Sequence, residues 1–228
     1  RTMLSSMTTQ EIQHAIASGD ENIRVEQFKR YENASWQINN VFSQKASSMN
    51  FQKVENDLRF ADDQKITGSG SVKVNGYQVV LGGTDLDCTG TLDWENATNI
   101  QLNGKINLSS TWRFAGVNRI SGNGNIIDLS SGGIIDLEDD AKLYLTDVVV
   151  KGLGDASGGS FVFSNDGASI CMSNVTTELI SDVTLNTGSI IVDGPSTWFI
   201  KDNTFTFDTS ADLIVDGVVL FKDKAGAA

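Results

Sequence analysis

Along most of the chain, apolar and polar positions alternate with a period of two. Val72-Lys73-Val74, Ile135-Asp136-Leu137, Leu143-Tyr144-Leu145, Phe161-Val162-Phe163, Phe205-Thr206-Phe207 and Leu213-Ile214-Val215 each place every second side chain on one face, as a half-buried strand requires. The runs are short, and glycine clusters separate them: Gly68-Ser69-Gly70, Gly82-Gly83, Gly122-Asn123-Gly124, Gly132-Gly133 and Gly158-Gly159. These clusters bend the chain without the usual two-residue hairpin turn, so the strands read as the sides of a coil. Residues 7–19 follow a different period. Thr8 or Thr9 can cap a helix, Glu11 completes a capping box with Thr8, Ile12, Ala15 and Ile16 form one apolar stripe, and Gly19 can close the end. A short helix running straight into the strand-like Ile23-Arg24-Val25 predicts a cap over the amino end of a β stack.

Internal repeats sharpen this picture. Arg59–Gly70 (RFADDQKITGSG) and Arg113–Gly124 (RFAGVNRISGNG) share six of twelve residues at an offset of 54. Glu32-Asn33-Ala34-Ser35 returns as Glu95-Asn96-Ala97-Thr98 at an offset of 63, which suggests repeat units near 31–90 and 94–150 and a protruding loop over 43–58 in the first. A shorter period aligns Ala141–Val148 with Ala168–Val175 at 27, and Ser196–Asp202 follows 28 later. The expectation is one β-solenoid domain over 1–228, about 27 residues per coil, with the two Arg-Phe-Ala segments superposed two coils apart.

The helix-to-strand opening at Ile12–Gly19 and Ile23–Val25, together with the coil signature Ala141–Gly152, resembles the pectin-lyase-like right-handed parallel β-helix superfamily. That resemblance implies an all-β, right-handed parallel β-helix with an amino-terminal capping helix and an extracellular setting. It does not choose among the superfamily's lyases, hydrolases, tailspikes, adhesins and passenger domains. The polygalacturonase-like signature of Asn-Thr-Asp, paired Asp and Gly-His-Gly is missing, because the sole histidine, His14, lies on the cap helix. No catalytic residue is assigned, and whether the chain is an enzyme stays open, with a non-enzyme favoured.

Charge and composition narrow the partners. Twenty-nine acidic against 17 basic residues give a net charge of −12, a field that repels nucleic acid and anionic lipid. No apolar stretch is long enough to span a bilayer, so membrane insertion is not expected. The start at Arg1 is read as the trace of a removed leader or of a larger upstream portion, which favours a secreted or cell-surface protein. Cys88 and Cys171 fall about three coils apart, roughly 14 Å on a shared face and beyond disulfide reach. Two free thiols are expected. Sequons at Asn33, Asn96, Asn107 and Asn174 carry little weight in so Asn-rich a chain.

Three candidate chemistries remain. Asp62-Asp63 and Asp139-Asp140 could supply paired carboxylates, but both flank turns, where solvated acids are ordinary. Asp128, Asp136, Asp139, Asp140 and Asp147 could gather hard oxygen ligands for Ca²⁺ on adjacent coils; no dedicated calcium motif is present, and no cofactor is assigned. Tyr31, Trp36 and Trp94 are the candidates for an exposed, carbohydrate-contacting aromatic patch, whereas Trp198 aligns with Leu143 and Ile170 and is assigned to the core. The expected function is an extracellular or surface structural or adhesive module, a passenger-like or filament subunit that meets a surface polysaccharide or protein. A carbohydrate-active enzyme or polysaccharide-binding β-helix is the alternative. Because Leu213–Val215 and Val218–Phe221 read as coil strands with almost nothing after them, an open carboxy-terminal coil is also expected, one that either continues into a longer solenoid or self-associates by docking against another subunit.

Overall fold

A computed structural model describes residues 69–72, 78–82, 85–156 and 158–223, with the backbone of three two-residue strands before them. The described chain is an all-β parallel solenoid of about six turns, about 23 residues each. Sheet A has nine strands: β1 (Trp36–Gln37), β2 (Leu58–Arg59), β5 (Val79–Leu81), β8 (Ile100–Leu102), β11 (Val117–Ser121), β14 (Lys142–Thr146), β17 (Ser169–Ser173), β19 (Val183–Val192) and β21 (Phe205–Val215). Sheet B has eight: β3 (Lys65–Ile66), β6 (Asp85–Cys88), β9 (Lys105–Leu108), β12 (Ile126–Asp128), β15 (Val149–Leu153), β18 (Thr176–Leu179), β20 (Pro195–Phe199) and β22 (Val218–Lys222). Sheet C has five: β4 (Gly70–Val72), β7 (Leu92–Glu95), β10 (Thr111–Ala115), β13 (Ile134–Leu137) and β16 (Ser160–Phe163). The chain visits C, A and B in turn, and the ladders it forms between successive coils are parallel.

Alternation within each strand sends one set of side chains inward, and parallel register stacks them into columns. In sheet C one column runs Val72, Trp94, Phe114, Leu137, Phe163, and its neighbour runs Leu92, Trp112, Ile135, Phe161. Trp94 stacks on Phe114 with centroids 6.4 Å apart and meets Trp112 edge-on at 5.6 Å. Sheet A contributes Leu143, Ile170, Ile190 and Leu213, and sheet B contributes Val150, Thr177, Trp198 and Phe221. The corner between C and A holds the buried Asn118. Its Oδ1 accepts from the Ala97 N–H at 2.8 Å, and its Nδ2 donates to the Ala115 carbonyl at 3.0 Å. One side chain thereby joins backbone groups of two successive coils across the corner.

The coil length differs from the expected 27 and is not constant. One column of sheet A passes through Val79, Ile100, Ile120, Leu145, Met172, Val192 and Val215, and the spacing of these numbers changes from coil to coil. The coils ending at Ile120 and Val192 are the shortest, and the one from Leu145 to Met172 is the longest. The alignment of Ala141–Val148 with Ala168–Val175 is a true coil register, but it belongs to that longest coil, extended by the excursion between Leu153 and Ser160. The offset of 54 is not two coils. Two steps from Arg59 lead through Val80 to Gln101, so Arg113 lies part of a turn further on, in sheet C, while Arg59 lies in sheet A. Lys65–Ile66 is likewise in sheet B and Arg119–Ile120 in sheet A. The two copies therefore fall at different places on the coil.

The cap helix expected over 7–19 and the loop expected over 43–58, apart from Leu58, lie outside the described residues. Towards the carboxy terminus the cross-section changes. Sheet C ends at β16, and two long strands, β19 and β21, bend around the corner that separate strands make in earlier coils. Gly188, at φ 80°, sits at that bend directly over the Phe163 ring.

Candidate functional site

The outer faces carry the solvent-facing half of each strand. On sheet C, Arg113 lies between Asp93 and Asp136 on the neighbouring strands, its Nη1 3.6 Å from Asp93 and its Nε 3.5 Å from Asp136, with Glu138 at 4.0 Å. On sheet B, Lys105 Nζ meets Asp128 at 2.8 Å, Lys151 meets Glu178 at 3.5 Å, and Asn107 Nδ2 donates to Asp87 at 2.9 Å. Burial alone would raise the Asp128 pKa, but Lys105 and the hydrogen bonds from Ser130 outweigh it and hold the carboxyl below its ordinary value. On sheet A, the Arg119 guanidinium lies 3.8 Å over the Tyr144 ring, a cation–π contact. Sequence reading missed these ladders. Their signal is an opposite charge one coil along, as in Asp93/Arg113, Arg113/Asp136 and Lys151/Glu178.

The residues singled out from sequence are not brought together. Trp94 is 1% exposed, inside the aromatic column of sheet C, which removes it from any surface patch. Tyr31 and the side chain of Trp36 lie outside the described residues, as do Asp62 and Asp63. Trp198 is core, as expected, but its ladder partner is Thr177 in sheet B rather than Ile170 in sheet A. Of the acids considered for Ca²⁺, Asp128 is on sheet B, Asp136 on sheet C, Asp139 and Asp140 in the turn between C and A, and Asp147 at the corner between A and B. Among the described residues, no group of three or more His, Cys, Asp or Glu gathers as a metal site.

Both cysteines are free, although not on one shared face. Cys88 points into the core from sheet B. Cys171 sits on the outer side of sheet A between Tyr144 and Ile191, yet is only 6% exposed. Burial, and secondarily Asp87, pushes the Cys88 thiol far up; burial, then Asp193, raises that of Cys171. Neither is poised as a thiolate nucleophile.

The strongest departure from an ordinary surface is the carboxy-terminal coil. Val215, Leu220 and Phe221 are 47, 51 and 54% exposed, while the partners of Val215 and Phe221 one coil inward, Val192 and Trp198, are fully buried. Trp198 and Phe205 lie 5.0 Å apart, Phe205 and Phe207 5.0 Å, and Trp198 and Phe221 5.6 Å. An aromatic layer therefore ends the described stack, with no further coil above it among the described residues. Comparison with known proteins finds no matching family model, no similar curated protein and no similar solved structure.

Proposed function

We propose that this chain is a structural or adhesive module of the cell surface or extracellular space, a rigid solenoid whose task is to present long faces. The carrying observation is the unbroken core from Val72 to Trp198 beside outer faces whose charges pair across adjacent coils. About six turns at about 4.8 Å spacing make a described rod on the order of 30 Å long. Ladder-paired charges suit a scaffold better than an enzyme, which needs an acid, a base and often a cation converging on one bond. The reading includes a right-handed coil and a helix over 7–19 capping the amino end, as in the pectin-lyase-like superfamily. Parallel crossovers are overwhelmingly right-handed, and a cap would cover strand edges that otherwise template aggregation.

The test is a screen of the whole chain against acidic and neutral polysaccharides, with and without Ca²⁺, following both retention and new chain ends. The expected result is no cleavage of any polymer, with or without retention. Reproducible cleavage would overturn the structural reading in favour of a carbohydrate-active β-helix.

A further inference from the structure

Acidic residues are not spread evenly over the three sheets. The strands of sheet B carry Asp85, Asp87, Asp128 and Glu178, and those of sheet C carry Asp93, Glu95 and Asp136. In sheet A no strand from β1 to β19 contains an acid, in a chain whose net charge is −12. Only its last strand, β21, has any, Asp208 and Asp212. The cations divide in the same way. Lys105 and Lys151 on sheet B and Arg113 on sheet C pair with carboxylates, whereas Arg119 and Lys142 on sheet A form no ion pair among the described residues.

These two cations are exposed and lie on adjacent strands. The middle outward column of sheet A runs Arg119, Tyr144, Cys171, Ile191. Hydroxyls flank it, Thr146 and Ser173 on one side and Ser189, two strands from Lys142, on the other. At 3.8 Å over Tyr144 the Arg119 guanidinium lies flat on the ring, so its fork of N–H groups points sideways and is held in place before any ligand arrives. Burial, then Asp193, raises the Cys171 thiol, and Lys142 and Arg119 act against both, so the two cations bear on one spot.

We propose that this face of sheet A binds a glycan that is neutral apart from an isolated carboxylate sugar, with the carboxylate between Arg119 and Lys142 and the sugar hydroxyls on the flanking serines and threonines. This names the ligand for the structural and adhesive reading above and rests on it. A guanidinium fork matches a carboxylate with two parallel hydrogen bonds, and a row of side-chain hydroxyls both donates to and accepts from sugar hydroxyls. A peptide would find no edge to join, because β11, β14, β17 and β19 are each paired on both sides. A densely charged chain is disfavoured as well. Asp147 and Asp193 follow β14 and β19 at one border of the face, and Asp139 and Asp140 precede β14 at the other. Together with the net charge they repel repeated anions while leaving room for one.

Ligand-observed NMR titration of the full chain with sialyllactose, a neutral disaccharide carrying one carboxylate sugar, tests this against lactose alone. Saturable binding is expected, tighter for sialyllactose than for lactose by about tenfold or more. Arg119→Gln and, separately, Lys142→Gln alter exposed side chains and are expected to weaken it about three- to tenfold with unchanged melting curves. Arg113→Gln removes the same charge from sheet C and is expected to leave binding unchanged. Polygalacturonate, with a carboxylate on every sugar, is expected to be held no more tightly than sialyllactose. Absent binding, equal affinity for lactose, an equal loss in Arg113→Gln or tighter binding of polygalacturonate each overturns the proposal. Any of these without cleavage of a polysaccharide removes this site alone, whereas cleavage overturns the structural reading beneath it.

Discussion

Thr177 stands in the sheet B core column between Val150 and Trp198, and its buried hydroxyl has no hydrogen-bond partner among the described residues. A buried unpaired hydroxyl is destabilising, and a methyl of the same shape carries no such penalty. Thr177→Val is therefore expected to raise stability by about 1 to 2 kcal/mol in denaturant titration; a loss would show that the hydroxyl finds a partner. Asp128 is the reverse case, a polar group well served by Lys105 and Ser130. Its folded pKa lies below the unfolded value, near 3.9 for Asp, so its contribution is complete above that value and fades as pH falls through the folded one. Because both partners are partly exposed, Asp128→Asn should cost about 1 kcal/mol or less at neutral pH, and parent and variant melting temperatures should converge as pH falls below about 4. At this scale the sequence was partly readable. Leu92-Asp93-Trp94-Glu95 alternates, which already assigns Trp94 to the inner face with Leu92; weighting the nearby Glu-Asn-Ala echo instead misplaced it outside. Trp198 was assigned to the core through a wrong register, and the assignment survived because alternation alone fixes which side of a strand is inward.

Each element meets its neighbours at corners, and there glycine matters in two distinct ways. Gly188 has φ 80° and an added Cβ would come within 2.4 Å of the Phe163 ring; Gly124 has φ 79° and nothing within 4 Å of that point. Both substitutions to Ala strain the backbone, at roughly 1 kcal/mol. Gly188→Ala must in addition move a packed ring, so it is expected to destabilise by about 2 kcal/mol more than Gly124→Ala in parallel thermal melts. Strands and turns were legible because their signals are local. Coil length was not, since it varies with the size of each corner, from the short coil between Ile100 and Ile120 to the long one between Leu145 and Met172. A single clear alignment, Ala141–Val148 on Ala168–Val175, happened to sample the longest coil and set the wrong period for the rest. The Arg-Phe-Ala repeat also misled, because its two copies begin on different sheets, Arg59 on A and Arg113 on C.

Taken as a whole, the molecule is a stack in which contacts between strands are made almost wholly by successive coils, so its stability is close to a sum of nearest-neighbour terms. That follows from parallel ladders and could be read from the repeats in outline. The charge pairing, which depends on the true coil length, could not. The uneven coils also give the rod a mechanical signature. Force applied at the carboxy terminus with the other end held loads the ladders one coil at a time, like a zipper drawn from its open end. The first three coils to part run from Val215 back to Val192, from Val192 to Met172, and from Met172 to Leu145. At about 3.4 Å per extended residue, an optical trap should record successive releases of roughly 80, 70 and 90 Å. A single rip of the whole rod would mean that the coils are held as one body rather than each by the next, while the uneven sequence of lengths would report the order of the coils along the tether.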